Sequence, residues 1–360
     1  MTTKSDSDYL HGGAPVSHMQ RLNMTEREVL DFSVNLNFFG PPPIIKEKWA
    51  ELFETIEQYP SINGDGVTRY YQSSCGVSPQ NFLAGNGSTE LIYLIARVLK
   101  YRRAAIITPS FHDYERASLL AGAQVIRWPL SPQNDFALPK KETLMTNLKD
   151  IDALWIARPN NPTGNLFEKE IVLALADRFP DKWFIVDEAF VQFLDDWKER
   201  SLLTENPRPN VLVLNSLTKF YAVAGLRLGG VVGHENIIAK MKNAKEPWAI
   251  NGIANRVASM LSQCTDYEAK SRPAINDETK RVFDALKKMD GILPFAPSVN
   301  YILCQWRKTD NLDHLLAHLL LNGLYLRDCR NFPGLEDNYF RIGIRIPEEN
   351  DRLLSVMALL

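Results

Sequence analysis

The chain has 360 residues, of which 45% are hydrophobic and 23% are charged, and its formal net charge is -2. These values are typical of a soluble globular protein with room for one large or two medium domains. The near-neutral charge does not favour a nucleic-acid or anionic-membrane partner, and no apolar run reaches the length of a membrane span.

Three further sequence features bear on cellular location, disulfide bonds and metal binding. Residues 1–8 are polar and contain no apolar signal-peptide core, so we expect a cytoplasmic protein. The 4 cysteines form no Cys-x-x-Cys pair and the 6 histidines form no His-Glu-x-x-His pattern. Neither a disulfide framework nor a metal site is therefore predicted.

Residues 1–45 are predicted to form an irregular arm. His11 precedes two glycines, and a strand-like run at residues 30–37 ends before three consecutive prolines, which continue neither a strand nor a helix. His11 is either a surface-loop histidine or part of a site, and the sequence leaves both interpretations open.

Residues 46–245 are predicted to form a large α/β domain, because short apolar runs alternate there with helical patterns. The first helix is predicted at residues 44–58. Residues 245–251 resemble a hinge, and helical patterns then lead to a strand-rich C-terminal part. Residues 246–360 are therefore predicted to form a smaller α+β domain. Ligands of mostly parallel sheets bind at the carboxyl ends of the strands, where we expect the site.

The strongest functional signal lies in residues 211–230. An apolar β-branched run is followed by Ser216, Thr218 and Lys219, and Arg227 stands eight residues after the lysine. A lysine can form a Schiff base with an aldehyde. The hydroxyls and the guanidinium can bind a phosphate dianion. This combination suits an aldehyde cofactor that carries a phosphate, whereas a lone loop lysine would have no such neighbours.

A second candidate phosphate site lies where a short strand gives way to a helix. Gly87, Ser88 and Thr89 open the apolar helical run, and a helix N-terminus is a favourable anion site. A plain capped helix would explain the hydroxyls but not the glycine.

Three further residues follow predicted strands. Phe111 can stack on a planar ring, although core packing is the alternative. Asn161 lies in a rigid turn, Asn-Asn-Pro-Thr-Gly. Asp187 ends a buried strand, where an acid is unfavourable unless it is paired. A cationic group of a bound ligand could be that partner.

These motifs resemble those of the fold-type I pyridoxal-phosphate enzymes, the aspartate aminotransferase superfamily. Ser-x-x-Lys followed eight residues later by Arg is met in full. The resemblance implies pyridoxal 5'-phosphate as the cofactor, Lys219 and Asp187 as catalytic residues, and a homodimer. Tyr59 would reach the cofactor phosphate of the neighbouring subunit, unless it is only a packed helix-end aromatic. The implied cofactor-binding residues are Gly87, Ser88, Thr89, Phe111, Asn161, Asp187, Ser216, Thr218, Lys219, Arg227 and Tyr59.

The C-terminal part supplies candidate substrate ligands. Arg341 resembles the substrate-carboxylate arginine of the superfamily, and Arg327 resembles a second anion-binding arginine of its histidinol-phosphate aminotransferase branch. Strand alternation predicts Arg345 on the same face as Arg341, and Arg330 adds positive charge. Solvent-facing arginines are the alternative. The implied substrate ligands are His11, Asn161, Arg327, Arg341 and Arg345.

Within the superfamily, the chain most resembles a branch that decarboxylates phosphorylated amino acids for corrinoid synthesis. The His-Gly-Gly arm and Phe190, where transaminases usually have tyrosine, carry this resemblance. It implies carbon dioxide release from threonine phosphate or serine phosphate, with Lys219 as proton donor. Histidinol-phosphate aminotransferase is the rival. A transcriptional regulator with a transaminase-like domain is a second rival, but the chain has no basic DNA-binding module.

Overall fold

The computed structural model describes residues 12–13, 29–308 and 311–360. Its strands are, in chain order, β1 Leu30–Asp31, β2 Phe82–Asn86, β3 Arg103–Thr108, β4 Gln124–Pro129, β5 Ala153–Ala157, β6 Trp183–Asp187, β7 Val211–Ser216, β8 Leu228–Gly233, β9 Ile292–Pro294, β10 Tyr301–Trp306, β11 Leu324–Tyr325, β12 Arg327–Asp328 and β13 Tyr339–Gly343.

The helices cover the faces of the sheets that these strands form. The α-helices are α1 Pro43–Glu47, α2 Trp49–Phe53, α3 Asp65–Cys75, α4 Gly87–Leu99, α5 Asp113–Leu120, α6 Lys141–Asn147, α7 Lys169–Arg178, α8 Trp197–Arg200, α9 Leu217–Phe220, α10 Glu235–Ala244, α11 Gly252–Leu261, α12 Thr265–Leu286, α13 Leu312–Leu321 and α14 Pro347–Met357. Within the described ranges, no helix is both long enough and apolar enough to span a membrane.

The large sheet has seven strands in the order β2-β8-β7-β6-β5-β3-β4. Strands β3 to β7 pair in parallel, and β8 is antiparallel to both of its neighbours. All residues of β5 are buried, and they alternate between two core clusters: Leu154 and Ile156 belong to one, Trp155 to the other. The strand is apolar throughout because helices cover both faces of the sheet. The predicted mostly parallel α/β sheet is confirmed.

The carboxyl ends of three neighbouring parallel strands lie at one edge of this sheet. Ala157 at the end of β5 is the register partner of Asp187 at the end of β6, and β7 ends beside them at Ser216. The segments that follow these strands carry Asn161 and Lys219. Parallel pairing therefore brings together residues that are far apart in the sequence.

The C-terminal part forms a four-stranded antiparallel sheet in the order β12-β13-β10-β9. Strand β1 pairs in parallel with β11, and Phe32 is fully buried in the core cluster of this part. The pair β1-β11 is a separate two-stranded sheet, and the backbone N–H of Gly343 on β13 donates to the carbonyl oxygen of Phe32 at 2.8 Å, so the segment after residue 29 packs on the C-terminal part. The C-terminal part therefore has the predicted α+β fold, with an antiparallel sheet and helices.

Two predicted elements are shorter than the sequence indicated. The helix predicted at residues 44–58 is interrupted at Lys48, whose φ of -97° and ψ of 14° separate α1 from α2, and it ends as a 3-10 turn at Glu54–Glu57. The helical spacing rested on Ile45, Trp49, Leu52, Phe53 and Ile56. Ile45 and Leu52 are buried, but Trp49, Phe53 and Ile56 are exposed in this chain, so burial supports only part of the predicted stripe. The strand-like run at residues 30–37 forms a ladder only at Leu30–Asp31.

Candidate active site

A cavity of about 570 Å³ lies at the carboxyl edge of the large sheet. Residues 33–36 of the N-terminal segment and the C-terminal sheet close its other side. Most of the predicted site residues line it: Ser88, Thr89, Phe111, Asn161, Asp187, Ser216, Thr218, Lys219, Arg227, Arg327 and Arg341.

Lys219 lies on the short helix α9, directly after β7. Burial is the largest of the effects that lower the pKa of its amine. The positive charges of Arg341 and Arg227 add to it and Asp187 opposes it, which brings the pKa to about 8. Near physiological pH, a larger share of this amine is therefore neutral than for an ordinary lysine, and a neutral lysine amine is a nucleophile for a carbonyl carbon.

Asp187 is a buried carboxylate held by two hydrogen bonds. The Tyr114 hydroxyl donates to Oδ2 at 2.7 Å, and the backbone N–H of Ala189 donates to Oδ1 at 2.9 Å. Burial raises the pKa of Asp187, and the two hydrogen bonds oppose this rise. The anion is thus preorganised for a cationic partner inside the cavity.

The start of helix α4 and Arg227 form one wall of a narrow cradle. Gly87 has a φ of +72°, and a Cβ atom at this position would lie 2.6 Å from Nη2 of Arg227. The backbone N–H of Gly87 donates to the carbonyl oxygen of Arg227 at 2.8 Å. Only glycine therefore lets the guanidinium approach the helix N-terminus this closely.

Hydroxyl groups complete this cradle. Asn86, not a serine or threonine, occupies the N-cap position without a side-chain cap bond, and Ser88 and Thr89 lie in the first turn and line the cavity. Across from them, Oγ of Ser216 and Oγ1 of Thr218 lie 2.7 Å apart. A helix N-terminus, hydroxyls and a guanidinium are the donors that a phosphate dianion requires.

Arg341 contacts Asn161 and the N-terminal segment. Its Nη1 donates to Oδ1 of Asn161, and its Nη2 donates to the carbonyl oxygen of Ser33 at 2.7 Å. Its guanidinium lies 5.3 Å from the ring centroid of Tyr301. Burial lowers the pKa of Arg341 to about 10, and its buried Nε has no hydrogen-bond partner among the described residues. A buried guanidinium with an unused donor suits an anionic ligand.

Arg327 reaches the same cavity from the neighbouring strand. Arg327 on β12 and Arg341 on β13 are direct register partners. Nη1 of Arg327 donates to the carbonyl oxygen of Asp328 at 2.5 Å, and its Nη2 donates to Oδ1 of Asn331 at 3.0 Å. These contacts help to orient the guanidinium.

The expectation for Arg345 as a substrate ligand needs correction. Strand β13 ends at Gly343, so alternation no longer sets the direction of Arg345. Its Nε donates to Glu349 at 2.6 Å, and it is not among the residues that line the cavity. Arg330 lies outside the cavity as well, because Asp328 and Asp313 hold its guanidinium at 2.7 and 2.6 Å.

Tyr59 and His11 stand apart from the other predicted residues. Tyr59 is 89% exposed, its ring lies 5.7 Å from that of Trp248, and it does not line the cavity of its own chain. His11 lies outside the described residues. The adjacent Gly12 and Gly13 do line the cavity, and the N–H of Gly13 donates to Oγ of Ser33 at 2.8 Å.

Sequence reasoning missed several residues of the cavity wall. His112 directly follows Phe111, and Tyr114, two residues further on, donates a hydrogen bond to Asp187. Phe332 packs against His112 with ring centroids 4.5 Å apart. Tyr114 lies in the first turn of α5, whereas Phe111 precedes the helix, so helical spacing could not have linked the two residues.

The donor set fits pyridoxal 5'-phosphate. The Gly87 cradle and its hydroxyls match the phosphate, Lys219 matches the aldehyde, and buried Asp187 matches the ring nitrogen. Phe111, whose ring lies 5.8 Å from that of Tyr114, lines the space between them.

Comparisons with known proteins agree with this geometry. Threonine-phosphate decarboxylase of Salmonella typhimurium is 33% identical over 354 residues, which cover 96% of this chain and 95% of that protein. The crystal structure of histidinol-phosphate aminotransferase from Clostridium acetobutylicum matches with a TM-score of 0.85 and 29% identity over 91% of this chain and 98% of that one. L-threonine-O-3-phosphate decarboxylase from Porphyromonas gingivalis shares the fold, with a TM-score of 0.80 and 23% identity over 91% of this chain and 98% of that one. The family model described as aminotransferase class I and II matches residues 27–357, so the chain belongs to that family.

Proposed function

We propose that this protein is a pyridoxal-phosphate-dependent carboxy-lyase that decarboxylates a phosphorylated amino acid. The proposed substrate is threonine O-3-phosphate, which gives aminopropanol phosphate, or serine phosphate, which gives ethanolamine phosphate. Such products serve the nucleotide loop of corrinoids. The likeness to the Salmonella typhimurium decarboxylase over 96% of the chain supports this choice.

The observation that carries the proposal is the pairing of two arginines. Arg327 and Arg341 stand opposite each other on adjacent strands, and both line the cavity that contains Lys219. Side chains directly opposite on antiparallel strands start roughly 5 Å apart at Cβ. Two guanidinium groups at this spacing suit a phosphate dianion better than a single carboxylate.

The cofactor would be held at both ends. Ser88, Thr89, Ser216, Thr218 and Arg227 would bind its phosphate, and Gly87 would contribute by leaving room for the Arg227 guanidinium beside it. Phe111 would stack on its ring, Asn161 would donate to its phenolic oxygen, and Asp187 would pair with its ring nitrogen. Asn161 can serve in this way because its Oδ1 accepts from Arg341, which leaves its Nδ2 as the donor.

Residues of the chain would transfer the proton and hold the substrate. When bound, the cofactor supplies a protonated conjugated ring that can accept an electron pair from the substrate Cα. Lys219 donates the proton from Nζ that replaces carbon dioxide on Cα. The arginines hold the phosphate and leave the departing carboxylate less tightly bound. A tightly paired carboxylate would be stabilised as an anion, which opposes its loss as neutral carbon dioxide.

Histidinol-phosphate aminotransferase is the second candidate, favoured by the likeness to the Clostridium acetobutylicum enzyme. Phe190 weighs against it. Its ring packs edge-on against Tyr301, with centroids 5.0 Å apart, and it lacks the hydroxyl that transaminases usually offer at this position.

The proposal includes a cytoplasmic homodimer with three segments: an arm at residues 1–45, a large domain at 46–245 and a small domain at 246–360. Exposed apolar side chains near Tyr59 would be covered by a second copy, as large apolar surfaces in soluble proteins usually are. These exposed side chains include Trp49, Phe53, Ile56, Tyr59, Ile62 and Trp248.

The four cysteines are unpaired, which fits a reducing compartment.

The test is a side-by-side assay of threonine phosphate, serine phosphate and histidinol phosphate with the purified holoenzyme. Carbon dioxide release and amino transfer to a keto acid are followed in parallel. We expect carbon dioxide from the first two substrates and little from free threonine or serine. Efficient amino transfer without carbon dioxide would leave the aminotransferase as the function.

A further inference from the structure

Four side chains meet where Arg327 enters the cavity: His112, Arg327, Asn331 and Phe332. His112 immediately precedes helix α5, whereas the other three lie on and just after β12. Nε2 of His112 lies 3.4 Å from Nη2 of Arg327 and 3.4 Å from Nδ2 of Asn331. Two segments more than 200 residues apart in the sequence thus share one polar contact.

The neighbours of His112 fix the position of its proton. A guanidinium nitrogen can only donate, and Oδ1 of Asn331 already accepts from Arg327, so the amide nitrogen of Asn331 faces the imidazole as a second donor. Nε2 of His112 must therefore accept, and the ring proton lies on Nδ1. A neutral imidazole places no second positive charge beside Arg327.

Aromatic packing restricts the same guanidinium from another side. The His112 ring lies 4.5 Å from the Phe332 ring, and the guanidinium carbon of Arg327 lies 5.1 Å from the same ring. His112 and Arg327 are each 7% exposed. The guanidinium is therefore packed as well as hydrogen-bonded, which lowers the entropy lost when it binds an anion.

We infer that His112 is a positioning residue that makes the site selective for the phosphate of its substrate. Its imidazole accepts from Arg327 and turns the guanidinium toward the cavity. Selectivity for phosphorylated over free amino acids then depends on a hydrogen-bond acceptor at this position. This inference rests on the proposed function in taking a phosphate as the anion that Arg327 binds.

The test uses holoenzyme and methyl phosphate, a monoester with neither an amine nor a carboxylate. Calorimetric titration compares the wild type with His112→Leu, which loses the acceptor, and His112→Gln, whose amide oxygen can reach the Nε2 position. We expect the leucine variant to bind methyl phosphate about tenfold more weakly, as for the loss of one ordinary hydrogen bond. We expect the glutamine variant to stay within about threefold of the wild type. Arg330→Gln is the matched control, because that guanidinium lies outside the cavity.

A kinetic comparison separates positioning from general damage. For His112→Leu, KM for the phosphorylated amino acid should rise about tenfold, with kcat/KM for the free amino acid unchanged, because only the phosphate contact is affected. Equal losses for both substrates would show a merely structural role. If the leucine variant does not fold, Asn331→Ala takes its place, since Asn331 also orients Arg327; we then expect weaker methyl phosphate binding with cofactor retained.

Several outcomes overturn the inference. Unchanged methyl phosphate binding in the leucine or the Asn331 variant removes the positioning role, and equal losses in the leucine and glutamine variants remove the acceptor role. Absence of methyl phosphate binding in the wild type removes the anion site itself. The proposed reaction is judged separately, by carbon dioxide release, so a failure of one is distinguishable from a failure of the other.

Discussion

The Tyr114 hydroxyl donates a 2.7 Å hydrogen bond to Oδ2 of Asp187, at the carboxyl end of β6. The Tyr114 ring is fixed by stacking on Trp155, with centroids 5.0 Å apart and planes 13° from parallel. Burial raises the pKa of Asp187, and this hydrogen bond counteracts the rise. Tyr114 therefore helps to keep the carboxylate ionised where a ring nitrogen would need a negative partner.

Tyr114→Phe should raise the pKa of Asp187 further, because burial remains and one stabilising hydrogen bond is lost. We expect the acidic limb of the kcat profile to move to higher pH and kcat near neutrality to fall about tenfold. The measurement is the pH dependence of carbon dioxide release. Tyr101→Phe is the control, since this buried hydroxyl contacts Ser118 and Trp155 but does not line the cavity. An unmoved acidic limb in Tyr114→Phe would contradict the role given to this bond.

The lowered pKa of Lys219 predicts how apo-enzyme captures its cofactor. Capture needs the neutral amine, so its rate should rise with pH and reach half its maximum near the pKa of about 8. Arg341→Gln removes one of the positive charges that lower this pKa, so the midpoint should move to higher pH. Stopped-flow absorbance measures the rate.

A chemical test locates the captured cofactor. Borohydride reduction followed by mass spectrometry should place the pyridoxyl group on Lys219. An adduct on another lysine, or a midpoint that does not move in Arg341→Gln, would contradict the assignment.

Replacing the two cavity arginines should weaken substrate binding more than cofactor binding. Arg327→Ala and Arg341→Ala each remove a charge-assisted contact with a desolvated anion, which is worth about 2–5 kcal/mol. Arg227→Ala should instead release the cofactor first. Matched controls are Arg330→Ala and Arg345→Gln, whose ion pairs lie outside the cavity and should leave substrate affinity within about twofold. Substrate and cofactor titrations separate the effects, and equal cofactor loss in all cavity variants would refute the division.

Gly87→Ala should weaken cofactor binding strongly. The added Cβ would lie 2.6 Å from Nη2 of Arg227, and the φ of +72° is unfavourable for alanine. Gly225→Ala is the matched control, because no heavy atom lies within 4 Å of its added Cβ. Cofactor dissociation constants should rise at least tenfold for Gly87→Ala, equivalent to about 1.4 kcal/mol, and stay nearly unchanged for Gly225→Ala. Comparable affinities in both variants would mean that the cradle does not hold the phosphate.

The buried ion pair between Arg158 and Glu188 should matter for stability. Their side chains are 1% and 0% exposed, and the pair joins the turn that carries Asn161 to the segment after Asp187. Arg158→Met leaves Glu188 as an unpaired buried charge, so the free energy of unfolding should fall by about 3–5 kcal/mol. Asp177→Asn, which breaks the pair between Arg208 and an aspartate that is 60% exposed, should change it by less than about 1 kcal/mol. Urea unfolding of the apo-protein measures both, and similar changes would show that burial is not decisive.

The amino-acid sequence by itself determined the parallel sheet, the lysine motif and the family resemblance. Apolar runs alternating with helical patterns depend only on local spacing, and Ser216, Lys219 and Arg227 lie within one short segment. Asp187 and Asn161 were predictable because Asp187 ends β6 and Asn161 lies in the turn after β5, and the two strands end at the same sheet edge.

Tertiary structure decided which of the C-terminal arginines reach the cavity. Arg330 is paired with Asp313, 17 residues away in the sequence, whereas Arg327 contacts His112 and lines the cavity. The prediction for Arg345 failed because side chains alternate between the two faces only within a strand, and β13 ends at Gly343. Hydrogen bonds and ion pairs between distant segments depend on how those segments pack, and residue spacing along the chain does not determine that packing.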